Sequence, residues 1–99
     1  MRWDLRLTAA QTGDTLSITV EGRLSAATAP QLASRLGEAI GAGNYRILLD
    51  MKGLDYISSG GLITIAAAAA RLQAEGGWLR LSDAQPAVRV ALELAGFEP

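Results

Sequence analysis

Leu5, Leu7 and Ala9 alternate with polar residues, and Leu16, Ile18 and Val20 do the same. A period of two places one side-chain set on one face of a strand, so both stretches read as strands with a single buried face. Thr12-Gly13-Asp14 between them is a turn signal, and the pair predicts a β-hairpin. Gly22 is expected to break the second strand, because glycine weakens strand interiors. Trp3 and Trp78 each fit an alternating strand and are expected to pack in the core or at a sheet edge.

The period then changes. Ala29, Leu32, Ala33, Leu36 and Ile40 fall on one helical stripe. Thr28 is the expected N-cap, Pro30 fits the first turn, and Gly41-Ala42-Gly43-Asn44 ends the helix. Ile47-Leu48-Leu49 is a continuous apolar run, which suits a strand covered on both faces or flanked by other strands. After a short loop, a second helix is predicted from near Ser59 to about Ala74, with Leu62, Ile65, Ala66, Ala69 and Leu72 as its core stripe. Gly76-Gly77 stops it. Trp78-Leu79-Arg80-Leu81 reads as a short strand. Val88, Ala91, Leu92 and Ala95 stripe a last helix after Pro86, closed by Gly96.

The predicted order is β-β-α-β-α-β-α. Strand–helix–strand units favour parallel pairing with right-handed crossovers. The expected fold is α/β: a small mixed sheet of about four strands, an antiparallel N-terminal hairpin plus parallel strands, with helices mainly on one face. At 99 residues, one domain is expected over positions 1–99. Hydrophobic residues make up 49% of the chain, enough for a real core.

Charge and residue usage exclude several function classes. Net charge is −1 with no basic run, which argues against a nucleic-acid surface. The absence of Cys and His removes disulfides, Cys/His metal sites and Ser-His-Asp chemistry. No metal, cofactor or catalytic set is expected, and the chain reads as a non-enzyme. Asp50 and Asp55 could suggest acid–base or Mg²⁺ chemistry, but no nucleophile or third ligand accompanies them, so a strand end and a solvated turn suffice. No apolar signal core follows the N-terminus, no direct membrane insertion is expected, and a cytoplasmic location is.

Candidate chemistry concentrates in Tyr56-Ile57-Ser58-Ser59-Gly60-Gly61, just where the second helix begins. A helix N-terminus carries unpaired N–H groups and partial positive charge. Ser59 can therefore cap the helix or carry a phosphate; Ser58 is the second choice for both. The segment lacks the Gly-Lys-Ser/Thr ending of a P-loop. Ile63, Ala67 and Ala70 lie off the core stripe and form an apolar second face on the helix.

Gly22-Arg23-Leu24, the helix start with Pro30, Ile47-Leu48-Leu49-Asp50-Met51, Leu54-Asp55-Tyr56-Ile57-Ser58-Ser59-Gly60-Gly61-Leu62, Gly76-Gly77 and Pro86-Ala87-Val88 through Leu92-Glu93-Leu94-Ala95-Gly96-Phe97 together resemble the STAS family. That bacterial family includes anti-sigma factor antagonists, and the resemblance spans nearly the whole chain. It implies partner switching: the unphosphorylated domain binds an anti-sigma factor that is also a serine kinase, and a sigma factor is released. Phosphorylation at the start of the second helix breaks the complex, and a phosphatase restores it.

In switching members the loop reads Asp-Ser-Ser-Gly-Leu or Asp-Ser-Thr-Gly-Leu, and the second hydroxyl accepts the phosphate. Aligning on Gly61-Leu62 places Gly60, which has no hydroxyl, at the acceptor position. Aligning on Gly60 instead makes Ser59 the acceptor but rotates the apolar stripe by about 100 degrees. The first alignment is preferred, with Ser59 as the substitute phosphorylation candidate. The implied partner-binding residues are Tyr56, Ile57, Ser58, Ser59, Gly60, Gly61, Ile63 and Ala67. The alternative within the family is a non-switching subunit of a lipid-transport ATPase or a sensory complex.

Overall fold

In the computed structural model, residues 4–97 are described. They form β1 (Leu5–Thr12), β2 (Thr15–Leu24), α1 (Ala29–Gly41), β3 (Arg46–Asp50), β4 (Leu54–Ile57), α2 (Ser59–Ala74), β5 (Trp78–Ser82) and α3 (Pro86–Leu94). Trp3 lies outside the described residues.

β1 and β2 pair antiparallel from Leu5–Gly22 to Thr12–Thr15. The turn is therefore two residues, Gly13 and Asp14, and Gly13 supplies a φ of 62°, a value glycine adopts at no steric cost. β3 runs parallel to β2, and β5 runs parallel to β3. Leu48 is half-buried and flanked by these two strands, the second of the two expected arrangements.

The sheet has five strands rather than about four. The extra strand is β4, which the sequence pattern presents as a loop. It pairs parallel with the end of β2, Arg23 opposite Tyr56 and Leu24 opposite Ile57. That pairing is possible because Gly22 does not end β2. With φ at 104°, Gly22 sits at a register shift, and the strand continues beyond it to Leu24. The glycine is a bulge that redirects the strand end, not a terminus.

Leu16, Ile18 and Val20 of β2 alternate with half-buried neighbours, so the core lies on one side of the sheet. All three helices contribute to this one cluster, through Leu32, Leu36 and Ile40, through Ile65 and Leu72, and through Val88 and Leu92. Fully burying each such side chain contributes about 1.5–3 kcal/mol.

Several stripe assignments shift by a residue or two. Ala9 and Ala33 are exposed, while Ala39 is buried. In α2, Ala68 is buried and Ala66 is exposed, with Leu62 and Ala69 half-buried. A run of identical alanines carries no phase of its own, so the neighbouring Ile65 and Leu72 set the rotation. In α3, Ala91 is half-buried and Ala95 lies beyond the helix, exposed.

Candidate functional site

Three backbone segments converge at the start of α2. The N–H of Ser58 donates to the carbonyl of Leu24 at 2.8 Å, which ties the loop after β4 to the end of β2. Where Arg23 lies opposite Tyr56 in the β2–β4 pairing, the Arg23 guanidinium stacks over the Tyr56 ring, 4.4 Å from its centroid. Such stacking contributes about 0.5–1 kcal/mol at an exposed site. The start of α1 closes the third side. There the Thr28 hydroxyl donates to the Arg23 carbonyl at 2.7 Å and accepts from the Ser25 N–H at 2.9 Å. Thr28 is the residue preceding α1, but its side chain makes no cap hydrogen bond to that helix. It pins the strand end instead.

The two serines have different tasks from those the sequence pattern suggests. Ser58, not Ser59, is the N-cap of α2: its Oγ accepts the N–H of Gly61 at 3.1 Å. Ser59 is the first residue of the helix, exposed, and its hydroxyl has no hydrogen-bond partner among the described residues. The hydroxyl of Thr64, one turn further, is engaged with the carbonyl of Gly60 at 3.0 Å.

The adjacent glycines also differ. A Cβ at Gly61 would fall 2.7 Å from Leu24 Cγ and 3.1 Å from Ile57 Cγ1. Only glycine lets α2 sit this close to the end of β2. A Cβ at Gly60 would meet nothing nearer than 3.7 Å, from Ala26 Cα and Ser58 Oγ. Gly61 is therefore the glycine that the packing requires.

Of the expected contact residues, Tyr56, Ser59, Ile63 and Ala67 are exposed, and Ile57, Ser58 and Gly60 are half-buried. Gly61 is buried, packed against Leu24 and Ile57. Ile63 is 69% exposed, unusual for an isoleucine. Asp50 accepts the Lys52 N–H at 3.0 Å, as a carboxylate ending a strand commonly does. Among the described residues no group of acidic side chains is placed to hold a metal ion, and no helix is long and apolar enough to cross a membrane.

The α1 side of the surface escaped the sequence reading. Ala33, Leu36, Gly37 and Ile40 of α1 face Ile63, Thr64, Ala67, Ala68 and Arg71 of α2 across a groove of about 250 Å³. The spacing of Ala33 and Gly37, four apart on one helix face, was the available signal, but it resembles ordinary core spacing.

The arrangement is that of an α/β binding module which presents a capped helix start and an apolar helix face to solvent. The chain belongs to the STAS domain family, whose model matches residues 6–99. It is 34% identical over 93 residues to BtrV of Bordetella bronchiseptica, assigned as an anti-sigma factor antagonist; the match spans 94% of this chain and 80% of that protein. Its fold is similar to an anti-sigma factor antagonist from Mycobacterium paratuberculosis, with a TM-score of 0.81 at 22% identity over 93% of this chain and 78% of the other. It is also similar to the phosphorylated form of the Bacillus cell fate determinant SpoIIAA, with a TM-score of 0.75 at 22% identity over 93% and 83% of the two chains.

Proposed function

We propose that this protein is an anti-sigma factor antagonist: a non-enzymatic module that binds an anti-sigma factor with serine kinase activity and so frees a sigma factor. The carrying observation is the 34% identity to an antagonist-class relative over 94% of the chain. The exposed cluster of Tyr56, Ser59 and Ile63 at the start of α2 supports it. That relative favours this reading over a transporter or sensor subunit.

Binding uses the loop Tyr56–Gly60 and the exposed face of α2. Apolar contacts dominate, because Arg71 is the single charged residue in α2. Ser59 is the phosphoacceptor. Its hydroxyl is exposed and uncommitted, whereas that of Ser58 caps the helix. A phosphate there adds about −1.5 to −2 charges. The helix N-terminus stabilises it, and its hydration opposes close apolar contact around Ile63. A phosphatase would reset the switch.

Two measurements test this reading. Added to the purified complex of anti-sigma factor and sigma factor from the same bacterium, the chain should liberate sigma factor on gel filtration. A complex that stays intact sinks the proposal. With the kinase and ATP, mass spectrometry should find phosphate on Ser59 and none in Ser59→Ala; an unmodified wild-type chain refutes the switch.

A further inference from the structure

Resting on that functional reading, we infer that the groove between α1 and α2 receives an amphipathic helix of the anti-sigma factor, and that a carboxylate on this helix pairs with Arg71. The groove walls are apolar or small at Ala33, Leu36, Gly37, Ile40, Ile63 and Ala67. Arg71 reaches into the groove from α2. Its guanidinium lies 3.9 Å from where a Cβ on Gly37 would be, and it forms no ion pair among the described residues.

The chemistry of the walls selects a helix. The one hydroxyl in the groove, on Thr64, already donates to the Gly60 carbonyl. An extended segment laid here would leave its own N–H and C=O groups without partners, because the groove is lined by α1 and α2 and not by a strand edge. A helix satisfies its backbone internally and offers an apolar ridge to the groove. Ala33, Gly37 and Ala67 keep the walls low, so that ridge can approach closely.

The charge positions the occupant. The Arg71 guanidinium reaches across to Gly37 of α1, and Ile63 stands exposed on the α2 wall of the same groove. The incoming helix should therefore carry an acidic residue beside its apolar ridge, where that ridge meets Gly37 and Arg71. A second copy of this chain is the competing occupant, since its α3 exposes Val90 and Leu94; such docking would be head-to-tail and give a ring or an open filament rather than a two-fold dimer.

Two substitutions test the groove without touching the core or the loop. Gly37→Leu fills it from α1, where a Cβ meets only the mobile end of Arg71. Arg71→Glu reverses the charge. Each should weaken binding to the purified anti-sigma factor by about tenfold or more, as hot-spot truncations do. Arg71→Lys should retain most of the affinity, and the Arg71→Glu defect should be rescued by replacing the partner's paired carboxylate with Lys. Circular dichroism must show both variants folded; if either is not, Ala33→Leu serves as the second plug.

If the wild-type chain binds the anti-sigma factor and all groove variants bind equally well, the groove inference fails and the functional reading stands. If the wild-type chain does not bind, both fail. Self-association of the wild-type chain in sedimentation, abolished by Gly37→Leu, would make the occupant a second copy and overturn the inference.

Discussion

Gly61 lies directly against Leu24, with room for a hydrogen but not for a methyl group: a Cβ there would come within 2.7 Å of Leu24 Cγ. Leu24 is fully buried and cannot swing aside. Gly61→Ala should therefore destabilise the fold by about 1–3 kcal/mol, the usual cost of overpacking a core. Gly60→Ala should be neutral or stabilising by up to about 1 kcal/mol, since the site is open and alanine favours the helix. Urea midpoints at constant m-value distinguish the two, and equal effects would contradict this packing.

The serines should separate just as clearly. Ser58→Ala removes the cap of α2 and should cost about 1 kcal/mol. Ser59→Ala removes an exposed hydroxyl with no partner among the described residues and should change stability by less than about 0.5 kcal/mol. Thermal unfolding of the two variants is the check, and a larger loss at Ser59 would reverse the cap assignment.

Gly77 holds the entry to β5. A Cβ on it would fall on the Tyr45 carbonyl oxygen, which accepts the Trp78 N–H at 2.9 Å. Backbone cannot yield as a side-chain tip does. Gly77→Ala should cost about 3 kcal/mol or more, and a variant whose urea midpoint matches the wild type would refute the contact.

The ion pair between Arg46 Nη1 and Asp14 Oδ2, at 2.5 Å, looks tight but is solvent-exposed on both sides, 51% and 74%. Exposed pairs are screened and lose side-chain entropy. Asp14→Asn should lower stability by less than about 1 kcal/mol, with the difference shrinking further in high salt. A salt-independent loss above that would show the pair to be structurally essential.

Much of this architecture was legible along the chain, since the strand alternation and helical stripes are local. The hairpin, α1, β3, β5 and α3 all follow from local periodicity and turn residues. β4 did not, because four residues leave no readable period and its partner is the segment of β2 beyond the Gly22 bulge. The Ala66–Ala70 run was equally opaque: any rotation of identical alanines looks the same until Ile65 and Leu72 find the core. At the site, the loop and the outer face of α2 were visible as a pattern, but the contribution of α1 through Ala33 and Gly37 was not.

By itself the sequence determined the order of nearly all the elements, the position of the helix start with its serines and glycines, and the family those motifs carry. These are local properties, set by periodicity, turn chemistry and composition. Tertiary structure alone decided which serine caps α2 and which does not, which glycine the packing demands, and that α1 and α2 enclose a groove lined by Arg71. Each of these depends on the distance between segments far apart in the chain, and those distances exist only once β2, β4 and the two helices have packed together.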